Sequence, residues 1–239
     1  MNIDPRSLTD ARLQLHWAAQ LAATVGRTLA PPRADDSHTS FLWSEKEDAL
    51  VQEPPLSSGL RLRDLTLIMS GQEFPLDGRT IDEGFAWLQQ QAPGVRKEFN
   101  DPMPDHPVAH GEPFHLDGAK FAELARYYRE AAAILKTIDA DVRCWPHHFD
   151  IAVLLSFDGG AKTIGVGMSP GDEGRDEPYW YVNHWPRAST TSLPPLAGGG
   201  TWNTEGWLGG VLPASANGDV RAFVDSALKA SRDLIGVHA

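Results

Sequence analysis

The chain carries a single cysteine in 239 residues, so no internal disulfide can form and the fold rests on burial and hydrogen bonding. No apolar run approaches the roughly 20 residues a helix needs to cross a bilayer, which argues against a helical membrane span and a membrane partner. Positive charge is scarce as well: 21 Lys and Arg stand against 32 Asp and Glu, for a formal charge of -11. Such a surface repels a phosphate backbone, so nucleic acid is not an expected partner. The opening residues Met1-Asn2-Ile3-Asp4-Pro5-Arg6 lack a basic segment followed by an apolar one. With the lone thiol, this points to a reducing cytoplasm.

Several functional motifs are missing or only mimicked. There is no G-x-x-x-x-G-K-[ST] loop, and Gly165, Gly167 and Gly171 have the wrong spacing for a dinucleotide fingerprint. Gly167-Met168-Ser169-Pro170-Gly171 matches the nucleophile elbow G-x-S-x-G, but Pro170 has no N–H to serve an oxyanion hole and no helix follows. Asp172, Glu173, Asp176 and Glu177 miss the calcium-loop spacing and read as a solvated acidic turn. Cys144 has only Arg143 nearby to lower its pKa and is not read as a nucleophile.

What is present is an organised alternation of helical and extended segments. Residues 8–29 read as a helix capped by Ser7 or Thr9, with Leu13, Trp17, Leu21, Val25 and Leu29 on one face. Short strands are expected at 41–43 and 49–51, a longer one from Leu60 to Met69, and a second helix from Ile81 to about Ala92. Residues 94–117, rich in proline and histidine, read as a long surface connection. Helical periodicity returns from Lys120 to Ile138. Strands are then expected over 147–157, 162–169 and 179–185, with a short one near Trp207 to Leu212, and a last helix from Val220 to Ile235. The fold class is therefore α+β, antiparallel sheets packed with helices. Residues 1–93 and 118–239 each read helix, strands, helix, so one compact unit of two similar halves joined by 94–117 is expected.

The chemistry concentrates in Cys144-Trp145-Pro146-His147-His148-Phe149-Asp150. If the strand begins at 147, alternation puts His148 and Asp150 on one face and His147 and Phe149 with the apolar core face. His148 oriented by Asp150 is then the candidate catalytic pair. Candidate ligand-binding residues are His16, Trp145, Trp180, Tyr181, His184 and Glu205, with Asn203 beside the last; aromatic rings among polar groups suit a pocket wall. His38, His106, His110, His115 and His238 lie in loops or at the end and read as exposed. No spaced set of metal ligands is present, and no cofactor is specified.

Three readings follow. The first is a protein binding a small molecule in a His/Trp-lined pocket; the second is an enzyme, hydrolase-like, using His148 and Asp150 as general base with or without a metal. The third is a non-catalytic interaction protein, a homodimer using its tryptophans and an exposed sheet edge. Beyond the individual residues, Trp145-Pro-His-His-Phe-Asp-Ile-Ala152, Gly167-Met-Ser-Pro-Gly-Asp172, Glu177-Pro-Tyr-Trp-Tyr181 and Trp185-Pro186, with Leu15-His16 and Gln20 upstream, resemble an uncharacterised bacterial family catalogued as a domain of unknown function. That resemblance implies no reaction and no catalytic residue.

Overall fold

The computed structural model describes residues 3–190 and 192–237; His238 lies outside them. The described residues form an α+β fold of four α-helices and two antiparallel sheets. The first half contains α1 (Thr9–Leu29), the strands β1 (Leu42–Ser44), β2 (Ala49–Val51), β3 (Ser58–Arg61), β4 (Thr66–Met69) and β5 (Gln72–Pro75), and α2 (Ile81–Gln91). The second contains α3 (Gly118–Leu135), β6 (Arg143–Trp145), β7 (Asp150–Phe157), β8 (Lys162–Ser169), β9 (Tyr179–Trp185), β10 (Thr201–Asn203) and β11 (Gly209–Pro213), then α4 (Val220–Ile235). The first sheet is a simple meander, β1-β2-β3-β4-β5; the second runs β10-β11-β9-β8-β7-β6. They meet where Phe41, just before β1, and Cys144 of β6 exchange two backbone hydrogen bonds of 2.9 and 2.8 Å. No described helix is long and apolar enough to cross a membrane.

Local chemistry accounts for most boundaries. Thr80 and Glu83 form a reciprocal capping box at α2. Asp117 and Asp219 cap α3 and α4 by accepting from the N–H groups of Lys120 and Ala222, and α4 stops at Gly236 in the left-handed region. At α1 neither Ser7 nor Thr9 is the cap: a 3-10 turn at Pro5–Leu8 feeds the helix, Ser7 Oγ donates to the Asp4 carbonyl, and Thr9 Oγ1 donates to the Asp176 carbonyl.

The burial of α1 is broader than a single apolar face. Every residue from Gln14 to Gly26 is buried, while Leu29, expected on the core face, is 39% exposed. Alanines 18, 19, 22 and 23 let neighbouring elements approach, and the buried polar side chains bind backbone. Gln14 accepts from His115 N–H, Trp17 Nε1 donates to the Pro104 carbonyl, and Arg27 donates to the Glu98 carbonyl and Asn100 Oδ1. This helix thereby laces down the 94–117 connection, whose only regular element is a 3-10 turn at Pro107–His110. His106 in that segment is buried rather than exposed, 3.2 Å from Asp10 through Nε2.

Two strand expectations need correction. The single strand expected from Leu60 to Met69 is two, because Leu65 adopts a left-handed conformation after a 3-10 turn and folds β4 back on β3; β5 was not expected. The strand expected from 147 starts at Asp150 instead. Residues 146–149 form a tight turn between β6 and β7, closed by a 2.7 Å bond from Phe149 N–H to the Trp145 carbonyl, with Phe149 at φ 55°. His147 is consequently exposed, not part of the core.

In the second sheet, Ile151, Val153, Ile164, Val166, Met168, Trp180 and Val182 form the face packed under α3 and α4. The opposite face carries Asp150, Gly165, Gly167, Tyr181 and Asn183, and the exposed Leu154 and Trp185. Gly167 pairs with both Ala152 and Tyr181. A Cβ there would lie 2.6 Å from Tyr181 Oη and 2.7 Å from Ala152 Cβ. The missing side chain lets the Tyr181 ring cross β8 and donate its hydroxyl to Asp150 Oδ2 on β7. Gly167→Ala is expected to lower stability by about 1–3 kcal/mol through overpacking; an unchanged urea midpoint at constant slope would contradict this.

Candidate functional site

The turn at 146–149 is where the two halves and the long connection come together. His16 Nε2 donates to the Pro146 carbonyl at 2.8 Å, and Gln20 Nε2, one turn further along α1, donates to the same oxygen at 2.6 Å. The carbonyl can only accept, so the neutral His16 ring carries its proton on Nε2. His16 also stacks on Phe149, with ring centroids 5.4 Å apart and planes within 10°. From α3 the buried Tyr128 donates its hydroxyl to the Phe149 carbonyl. Three side chains from two helices thus fix a four-residue turn.

With the turn fixed, His147 and His148 project outward beside each other, their ring centroids 4.4 Å apart. They edge a cleft of about 210 Å³ that also receives Arg12 and His16 from α1, Met103 from the long connection, and Asp172 and Glu173 from the loop after β8. That loop is tied down: Asp172 accepts from the backbone N–H groups of Gly174 and Arg175 and from the Tyr179 hydroxyl. Buried Glu177 accepts from Ser215 N–H and Oγ at 2.7 and 2.8 Å.

The electrostatics of the cleft are uneven. Burial, aided by the positive charge of Arg12 and the proximity of His148 and His147, lowers the His16 pKa to about 4, so its ring is neutral near pH 7. Burial also lowers the pKa of Arg12, opposed chiefly by Asp172. Arg12 Nε is buried with no hydrogen-bond partner, and the guanidinium forms no ion pair among the described residues. Partial desolvation and His148 lower the His147 pKa.

The expected site residues fall into separate groups. His16 and His148 do meet in the cleft, and Trp145 lies near it, its ring 6.1 Å from that of His147. Asp150 and Tyr181 pair with each other beneath the turn. Burial raises the Asp150 pKa against the lowering effect of the Tyr181 hydrogen bond, and its Oδ1 has no partner. Asp150 makes no hydrogen bond to His148, so the expected general-base pair is not formed: the left-handed residue at 149 breaks the alternation that would have aligned them. His184 is not in the cleft. It sits under α4 with Nδ1 3.3 Å from Ser231 Oγ, its Nε2 is buried without a partner, and burial lowers its pKa. Trp180 shares that helix-covered face, away from the cleft, and lines a separate hollow with Tyr127 and Leu212. Glu205 is exposed in the loop before β11, and Asn203 accepts from Arg175 instead of facing the histidines.

Ser169, at the centre of the G-x-S-x-G match, is buried at the end of β8 and accepts from Gly171 N–H, with no helix after it. Among the described residues no three His, Cys, Asp or Glu side chains are grouped so as to hold a metal ion. Cys144 is fully buried, and that burial raises its thiol pKa well above the ordinary value. Arg12 was not singled out by sequence reasoning; its position four residues before His16, and so on the same helix face, is the signal that could have found it. No family model matches the chain, and no curated protein or solved structure shows significant similarity to it.

The depressed His16 pKa has a measurable consequence. An unfolded histidine titrates near 6.5, so between about pH 6.5 and 4 the unfolded chain binds a proton that the folded one refuses. This contribution is complete above pH 6.5 and is lost as pH falls toward 4, a change of roughly 3 kcal/mol at 1.36 kcal/mol per pKa unit. The raised Asp150 pKa acts in the opposite sense, so the comparison must be between the native chain and His16→Gln, which keeps an N–H donor. The stability difference between the two should shrink by that amount on acidification; a difference independent of pH would contradict the assignment.

Proposed function

We propose that the chain binds a small organic anion in the cleft between α1, the 146–149 turn and the 170–173 loop, with Arg12 as the anchor. The observation that carries this reading is the guanidinium of Arg12, which lines the cleft with its Nε buried and unpartnered and forms no ion pair among the described residues. A partly desolvated cation without a counter-ion is costly, and an incoming carboxylate offsets part of that cost by accepting N–H bonds from the guanidinium. Arg suits this role because its donors form a fixed planar fork. His16 lines the same cleft as a neutral ring, and His148 is exposed at its rim. At about 210 Å³ the cleft is smaller than the roughly 300–1,000 Å³ occupied by drug-sized ligands, which favours a small metabolite.

Binding is favoured over turnover because Asp150 makes no hydrogen bond to His148 and accepts instead from Tyr181 through Oδ2. The motif resemblance assigns no chemistry, so the reading rests on the cleft itself. Acetate, succinate and citrate, titrated at low ionic strength and followed by thermal denaturation and calorimetry, provide the test. At least one should raise the melting temperature progressively, with the logarithm of its concentration above Kd, and give a saturable heat. Arg12→Gln, with its fold checked by circular dichroism, should lose both signals. Equal responses from the native chain and the variant would refute the reading.

A further inference from the structure

The cleft contains a second pole that an anion alone leaves unused. Asp172 and Glu173 line it on the side contributed by the loop after β8, facing the Arg12 of α1. Asp172 is close enough for its charge to act on Arg12, yet no ion pair forms between them. Opposite charges at short range attract one another. Here Asp172 is held by other partners. Asp172 is fixed by two backbone N–H groups at 2.7 and 2.9 Å and by the Tyr179 hydroxyl. Arg12 springs from the rigid, buried α1. Glu173 next to Asp172 is exposed and has no hydrogen-bond or ion-pair partner among the described residues. The remaining wall combines the three histidines His16, His147 and His148 with an apolar part that includes Leu13, Met103 and Pro170.

We infer that the ligand of this cleft is a small zwitterion of the α-amino-acid type, its carboxylate on Arg12, its ammonium toward Asp172 and Glu173, and its side chain against the apolar wall. This rests on the anion-binding reading and names its ligand class. A simple carboxylate would satisfy Arg12 but would approach two negative groups, of which Asp172 is held in place, and this disfavours it. A molecule carrying an ammonium group beside its carboxylate turns that repulsion into attraction and can fill the gap that keeps the protein's own charges apart. Neutral His16 adds no competing positive charge near the carboxylate pole.

The experiment uses the full chain and L-leucine, L-methionine and L-phenylalanine as probes. Each is compared by calorimetry with its N-acetyl derivative, its amide and the corresponding acid lacking the amino group. At least one free amino acid is expected to bind, and roughly tenfold more tightly than any of its three blocked or truncated counterparts. Glu173→Gln, at an exposed position where folding should be unaffected, is expected to weaken the free amino acid and, by removing a repelling charge, to tighten the acid that lacks the amino group. If that acid binds as tightly as the amino acid and Arg12→Gln abolishes both, the zwitterion assignment falls and anion binding stands. If none of these probes binds, and acetate, succinate and citrate also fail, both readings fall.

Discussion

One carbonyl oxygen, that of Pro146, is the point on which the arrangement depends. It receives hydrogen bonds from both His16 and Gln20, donors spaced one turn apart on a helix whose whole circumference is buried from Gln14 to Gly26. A buried acceptor left without these partners would cost about 1–3 kcal/mol. Tyr128 completes the clamp from the other half by donating to the Phe149 carbonyl. The fixed turn sends His147 and His148 outward to the cleft and drops Asp150 into the sheet, where Tyr181 reaches it across Gly167. The site is therefore assembled from the two halves together, with α1 contributing both the clamp and Arg12.

The same helix explains the long connection. A segment with little periodicity and many prolines has few ways to bury its backbone polar groups by itself. Side chains of α1 supply what it lacks at His115, Pro104, Asn100 and Glu98, and this brings Met103 to the cleft wall. Gln14 and Gln20 thus serve that segment, His16 and Gln20 the 146–149 turn, and Thr24 the Leu21 carbonyl of its own helix, so each buried polar side chain of α1 has a partner and the helix can be buried on all sides.

The α+β class and the bounds of β8, β9 and α4 were legible from period and turn residues, because these elements are long and regular. The errors cluster where a residue other than glycine takes a left-handed conformation. Leu65 and Phe149 carry no sequence mark of a turn, and each divides what reads as continuous strand. The misplaced start at 147 then carried into the chemistry, pairing His148 with Asp150 where the fold joins Asp150 to Tyr181 instead. His184 shows a different limit: its strand face was readable, but its cover, Ser231 of α4, comes from 47 residues away. Arg12 escaped notice for a third reason, since an arginine in the first turns of a helix looks like an ordinary surface residue until the surrounding loops close over it.

The central claim is that a neutral His16 donates through Nε2 to the clamp. Nitrogen-15 and proton spectra of imidazole-labelled protein near pH 6 test it directly, because the two ring nitrogens report protonation separately. A protonated Nε2 beside an unprotonated Nδ1 is predicted, persisting as pH falls until the group titrates near 4. A proton on Nδ1, or an imidazolium forming near the ordinary value of about 6.5, would contradict it.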